Sequence, residues 1–218
     1  METILGGPEI FEPYLKAHVE NFSHKSITTA DFKDFIFKYF NGNPEQVKIL
    51  SSVDWERWFH QPGMPIVENT FDDSLAKTCI KLASDWDQCR NTKSYPENLS
   101  DFTSLSSPQK IMFLEKLMEM NCFPIECLQR MNSLYKLSEI SNSEIKFRWQ
   151  MLCLSSNYES VYSDVTNFIS TVGRMKFVRP LYRSLYKVQP ALARDTFSKF
   201  RTFYHPICST MVAKDLGM

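Results

Sequence analysis

The chain has 218 residues, 25 Lys plus Arg against 25 Asp plus Glu, and 43% hydrophobic residues. That balance excludes a disordered or fibrous chain, and the zero net charge excludes a global electrostatic pull toward nucleic acid or a membrane. No apolar run approaches the ~20 residues that cross a bilayer, and METILGGPEIF lacks a basic stretch followed by an apolar one, so a cytoplasmic protein is expected.

Only six glycines, 14% aromatic residues and no sustained period-two alternation point to an all-α fold. After Gly6-Gly7-Pro8, the residues Ile10, Phe11, Tyr14, Leu15, Val19 and Phe22 recur at steps of three and four, the apolar face of a first helix. Thr28 can cap a second helix, with Asp31 near its positive end and Phe32, Phe35, Ile36, Tyr39 and Phe40 along its stripe. Asn41-Gly42 stops it, Asn43-Pro44 opens a short helix, and DWERWFH at 54–60 adds another with two tryptophans to bury.

QPGMPIVENT at 61–70 breaks all periodicity and is the best boundary in the chain. Leu75, Cys79, Leu82 and Trp86 mark the next helix, and the polar stretch 87–104 reads as a long surface loop. Helices are then expected over about 108–120, from Pro124 to Tyr135, from the capping box Ser141-x-x-Glu144 through Cys153, and at about 158–171, 180–188, 190–203 and 206–214. The expected organisation is a helical block at 1–61, a proline-containing linker at 62–72 and a helical domain at 73–218. Seven or eight short helices in quick succession predict stacked antiparallel hairpins, either a two-layer α-solenoid-like right-handed superhelix of the armadillo or HEAT kind, or a compact bundle.

The residues offer little chemistry of their own. Cysteines 79, 89, 122, 127, 153 and 208 form no CxxC pair and have no histidine at zinc spacing, so buried free thiols are expected. His18, His24, His60 and His205 belong to no ligand motif, His18 reads as a surface residue on a helix, and no nucleophile-elbow or phosphate-loop motif is present. No metal or cofactor is expected in this chain, and no catalysis by it alone.

One stretch departs from neutrality. Between Gly173 and Tyr204, Arg174, Lys176, Arg179, Arg183, Lys187, Arg194, Lys199 and Arg201 face one acid, Asp195. A solvated basic face is the ordinary account of such a run. Within it, Arg174 and Lys176 stand two apart, a spacing that diverges on a helix and converges in extended backbone. Gly173 and the pre-proline Arg179 favour an extended link, in which a guanidinium fork and an ammonium would grip one carboxylate while Met175 and Phe177 point to the core.

Six stretches together, LGGPEIF at 5–11, KSITTADFKDF at 25–35, VDWERWFHQPGMP at 53–65, NSEIKFRW at 142–149, GRMKFVRPLY at 173–182 and HPICSTMVAKDL at 205–216, resemble the carboxy-terminal part of the leukotriene A4 hydrolase family, bifunctional zinc aminopeptidases and epoxide hydrolases. Ile66 departs from the second proline that relatives tend to carry there. The resemblance implies that 1–61 is the helical end of a thermolysin-like catalytic domain and 73–218 the carboxy-terminal helical domain. It implies that Arg174 and Lys176 bind the substrate's free carboxylate, that of a peptide or of a fatty acid. The zinc-binding H-E-x-x-H, the G-x-M-E-N strand and the catalytic tyrosine of the family all belong upstream of Met1, so zinc, nucleophile and general base are expected in the full-length enzyme and not here.

The expected function is therefore that of a carboxy-terminal part of such an aminopeptidase, supplying helical scaffold and carboxylate clamp. Its partners would be the substrate carboxylate and the missing catalytic domain, with self-association through residues 1–61 where aromatic side chains lack cover. A membrane is excluded, and nucleic acid ranks behind the carboxylate. The rival reading is a stand-alone helical-repeat module that binds protein or nucleic acid.

Overall fold

Two consecutive glycines set the chain's first turn. In the computed structural model, which describes residues 1–68, 70–92, 94–120 and 122–218, Gly6 and Gly7 sit at φ 110° and 103°, conformations that side-chain-bearing residues avoid. They separate α1 (Glu2–Leu5) from α2 (Pro8–Phe22), with Pro8 in the first turn of the second. Thr28 caps α3 (Thr29–Tyr39) through a complete reciprocal box. Its amide donates to Asp31 Oδ2 at 2.8 Å, and the Asp31 amide donates to Thr28 Oγ1 at 3.3 Å. α4 (Pro44–Ser51) follows Asn43, and Asp54 caps α5 (Trp55–His60) by accepting from the Arg57 amide.

These five helices make the first of two compact units, Met1–Phe71 and Asp72–Met218. Its core is Leu5, Tyr14, Ile36, Phe40, Leu50 and Trp55. The Tyr14 ring lies among Phe11, Phe35, Tyr39 and Phe40, and the Trp55 indole N–H donates to the Leu50 carbonyl at 2.9 Å. The expected apolar face of α2 is only partly covered: Tyr14 is buried, whereas Leu15 and Val19 are exposed. His18, expected at the surface, is half-buried between the Phe22, Phe32 and Phe35 rings and shares a 3.3 Å hydrogen bond with the Tyr14 hydroxyl.

The second unit contains α6 (Ser74–Thr92), α7 (Ser100–Thr103), α8 (Ser107–Glu119), α9 (Ile125–Tyr135), α10 (Ser143–Ser155), α11 (Tyr162–Thr171), α12 (Met175–Val188), α13 (Pro190–Phe200) and α14 (Pro206–Leu216), with 3-10 turns at Leu137–Glu139 and Glu159–Val161. The described residues hold no strand, so the fold is all-α as expected. Helices α6, α8, α10, α12 and α14 each pack against the next of that series, while α11 and α13 pack on each other and on α12. One continuous core, including Trp86, Phe113, Leu117, Trp149, Tyr182 and Phe197, runs between them.

Several boundaries differ from expectation. The stretch read as one loop over 87–104 is helical to Thr92 and again over Ser100–Thr103, because Cys89 continues the buried row of Cys79, Leu82 and Trp86. Helix α12 begins at Met175 rather than Pro180. Phe177, Val178, Leu181, Tyr182 and Leu185 form one buried stripe, so burial drives helix on both sides of the proline. Pro180 is the sixth helical residue and forfeits a single backbone bond, to the Lys176 carbonyl. The box expected at Ser141 is replaced by Asn142, whose Oδ1 accepts from the Glu144 amide at 2.9 Å and the Ile145 amide at 3.4 Å. All six cysteines are free; five are buried and Cys122 is exposed. Asn69 of the proline-containing segment and Lys93 of the polar stretch lie outside the described residues. Among those described, no helix is long and apolar enough to cross a membrane.

Candidate functional site

Arg174 and Lys176 meet at the start of α12, though not on the extended backbone expected from Gly173 and the pre-proline Arg179. Arg174 is the N-cap, with φ −72° and ψ 116°, and its carbonyl already accepts from the Phe177 and Val178 amides. Lys176 lies in the first helical turn. Only the residue outside the helix is extended, yet the two side chains reach the same place because a carboxylate from α10 stands between them. Lys176 Nζ donates to Glu144 Oε1 at 2.6 Å and to Oε2 at 2.8 Å, and Arg174 Nη1 lies 3.9 Å from that same Oε1. Phe177 is buried beneath both, its ring centre 5.6 Å from the Arg174 guanidinium and 5.4 Å from the Lys176 ammonium. Met175, expected in the core, is exposed.

Glu144 is held from its other side by Arg148, one turn along α10. Arg148 Nη1 donates to Glu144 Oε2 at 2.8 Å and to the Glu144 carbonyl at 2.9 Å, and its Nε donates to Glu115 Oε1 on α8 at 2.8 Å. The Lys176 and Arg148 hydrogen bonds hold the Glu144 carboxyl below the usual carboxylate range, so it is ionised at neutral pH. Three cations thus surround two carboxylates. The surplus positive charge is concentrated on Arg174, whose side chain is 66% exposed while that of Arg148 is 13% exposed.

The other six basic residues of the run do not join this cluster. Arg179 makes a two-pronged bond to Asp215, at 2.6 and 3.1 Å, and that partner holds the Asp215 carboxyl low. Arg194 donates to the Leu216 carbonyl and the Tyr186 hydroxyl, and Arg201 lies over the Phe197 ring. Arg183, Lys187 and Lys199 are exposed. Among the described residues no group of three or more His, Cys, Asp or Glu is placed to hold a metal ion.

Sequence reasoning singled out Arg174 and Lys176 and missed Glu144, Arg148 and Glu115. The Glu144/Arg148 spacing of four is a legible helix pair, but nothing local joins Glu144 to a lysine 32 positions on.

A model of the family described as "Leukotriene A4 hydrolase, C-terminal" matches residues 105–216, just over half of the chain. The chain belongs to this family. The leukotriene A-4 hydrolase of Xenopus laevis is 40% identical over 99% of this chain and 35% of its own length. Leucine aminopeptidase 2 of Aspergillus niger is 38% identical over 99% of this chain and 35% of its own length. Among solved structures, native leukotriene A4 hydrolase from Saccharomyces cerevisiae superposes with a TM-score of 0.88 at 33% identity, covering 100% of this chain and 37% of that one. The chain therefore spans about a third of the length of the leukotriene A4 hydrolase relatives it matches.

Proposed function

We propose that this chain is the carboxy-terminal part of a leukotriene A4 hydrolase-type aminopeptidase, in which Arg174 and Lys176 bind the free carboxylate of the substrate. The observation that carries this reading is their convergence on one carboxylate oxygen, that of Glu144, with a surplus positive charge on the exposed Arg174. The site already binds one carboxylate and keeps a guanidinium fork in reserve. The names of the relatives support a carboxylate as the ligand, since a peptide and leukotriene A4 have little in common except a terminal carboxylate. The helices supply rigidity: Arg174 and Lys176 stand on an element packed against α10, α11, α13 and α14. By the same reading, the apolar side chains exposed on the first unit, Leu15, Val19 and Trp58 among them, pack against the catalytic part of the full-length enzyme, which also carries the zinc.

The test places this chain in an enzyme of full family length, replacing the corresponding part of the Xenopus laevis relative, and compares a tripeptide with its carboxamide. Losing the Arg174 contact removes a charge-assisted hydrogen bond worth about 1.5–3 kcal/mol, so Arg174→Ala lowers kcat/KM for the tripeptide by about 10- to 150-fold. The carboxamide loses much less. Equal losses on the two substrates refute the clamp.

A further inference from the structure

We propose that Glu144 is a positioning residue of this clamp: it fixes the Lys176 ammonium beside Arg174 and leaves the Arg174 guanidinium open to the incoming carboxylate. The inference rests on the carboxylate-binding reading given above and names the group that makes two neighbouring cations usable at once.

A lysine ammonium on four rotatable bonds is a poor fixed donor, and two like charges two residues apart repel. Glu144 removes both difficulties. It takes Lys176 Nζ with both of its oxygens, at 2.6 and 2.8 Å, which leaves one of the three ammonium N–H bonds for a ligand. Its Oε1 stands 3.9 Å from Arg174 Nη1, beyond hydrogen-bonding distance, so the negative charge offsets the repulsion without occupying the guanidinium fork.

Glu144 can position another group because it is itself held. Asn142 takes its backbone amide, Arg148 takes Oε2 and the Glu144 carbonyl, and Glu115 takes the far side of the Arg148 guanidinium. The chain Glu115–Arg148–Glu144–Lys176 crosses α8, α10 and α12, which lie side by side, so the ammonium is anchored through three packed helices. The low-lying Glu144 carboxyl keeps the anchor charged wherever an aminopeptidase would work.

Two measurements test the inference. In the full 218-residue chain, nitrogen-15 relaxation of the Lys176 ammonium reports its order directly; Glu144→Gln should release it to the mobility of an exposed lysine, and Arg148→Lys should release it in part. Unchanged order in Glu144→Gln overturns the proposal. In the full-length chimera, Glu144→Gln should raise KM for the tripeptide about five- to tenfold while kcat changes by less than about twofold. The carboxamide should be affected less, and the effect should vanish in a Lys176→Ala background. A Glu144→Gln effect that persists in that background also overturns it. If Arg174→Ala shows no carboxylate selectivity, the clamp itself is wrong; if it does and Glu144→Gln leaves KM unchanged, only the positioning role falls.

Discussion

Tyr204 offers the sharpest test of how the second unit is held together. Its hydroxyl donates to the Ile169 carbonyl at 2.8 Å and lies 2.9 Å from the Tyr182 hydroxyl. A phenol has one proton; since Tyr204 spends its own on Ile169, Tyr182 must be the donor to Tyr204. Both rings are buried, and Tyr204 stacks on Phe197 with ring planes 3° apart, so phenylalanine at either position keeps the packing. The two substitutions nonetheless differ. Tyr204→Phe strips the acceptor from Tyr182 and the donor from Ile169 together, and two buried groups left unsatisfied cost about 2–5 kcal/mol. Tyr182→Phe removes one bond and leaves the Tyr204–Ile169 bond intact, a loss of about 0.5–1.5 kcal/mol. With a urea slope of roughly 2 kcal/mol per molar, Tyr204→Phe lowers the midpoint by about 1–2.5 M and Tyr182→Phe by about half a molar. Urea titration read by hydrogen exchange of peptides from α11 to α14 scores this unit separately. Equal midpoints, or a larger loss for Tyr182→Phe, refute the assigned direction of the chain of bonds.

The glycines provide a paired comparison. Gly6→Ala should destabilise the first unit by about 1–3 kcal/mol, because φ 110° is strained for any side chain and the new Cβ would lie 2.8 Å from Ile10 Cδ1. Gly173→Ala should be neutral within about 0.5 kcal/mol, since its backbone is outside the left-handed region and the nearest atom to the new Cβ is Phe203 Cε1 at an ordinary 3.5 Å; thermal melts of the two variants decide. A second prediction concerns alkali. Burial pushes the Tyr14 and Tyr204 phenols up to about 12, above the ~10 of an exposed tyrosine. The folded state then holds protons that the unfolded state releases, so stability is complete below about pH 10 and declines as pH rises toward 12. Urea midpoints at pH 9 and 11.5 should differ, and Tyr14→Phe should shrink the difference for the first unit.

What the sequence disclosed follows from which forces are local. The stripe of α3 and the Thr28/Asp31 cap lie within one helix, and a reading by periodicity finds them. The same method fails at α12, where a rule about prolines conflicts with a stripe of buried residues on both sides of Pro180. Five apolar anchors outweigh one missing backbone bond, and the helix starts at Met175. The consequence bears on the site. Extended backbone through Arg179 was the reason to expect Arg174 and Lys176 to converge, and that backbone is helical. They converge because Arg174 stops just outside the helix, Lys176 begins it, and Glu144 reaches across from a neighbouring helix that the sequence places 32 residues earlier. The meeting point is thus a property of helix packing rather than of two-residue spacing.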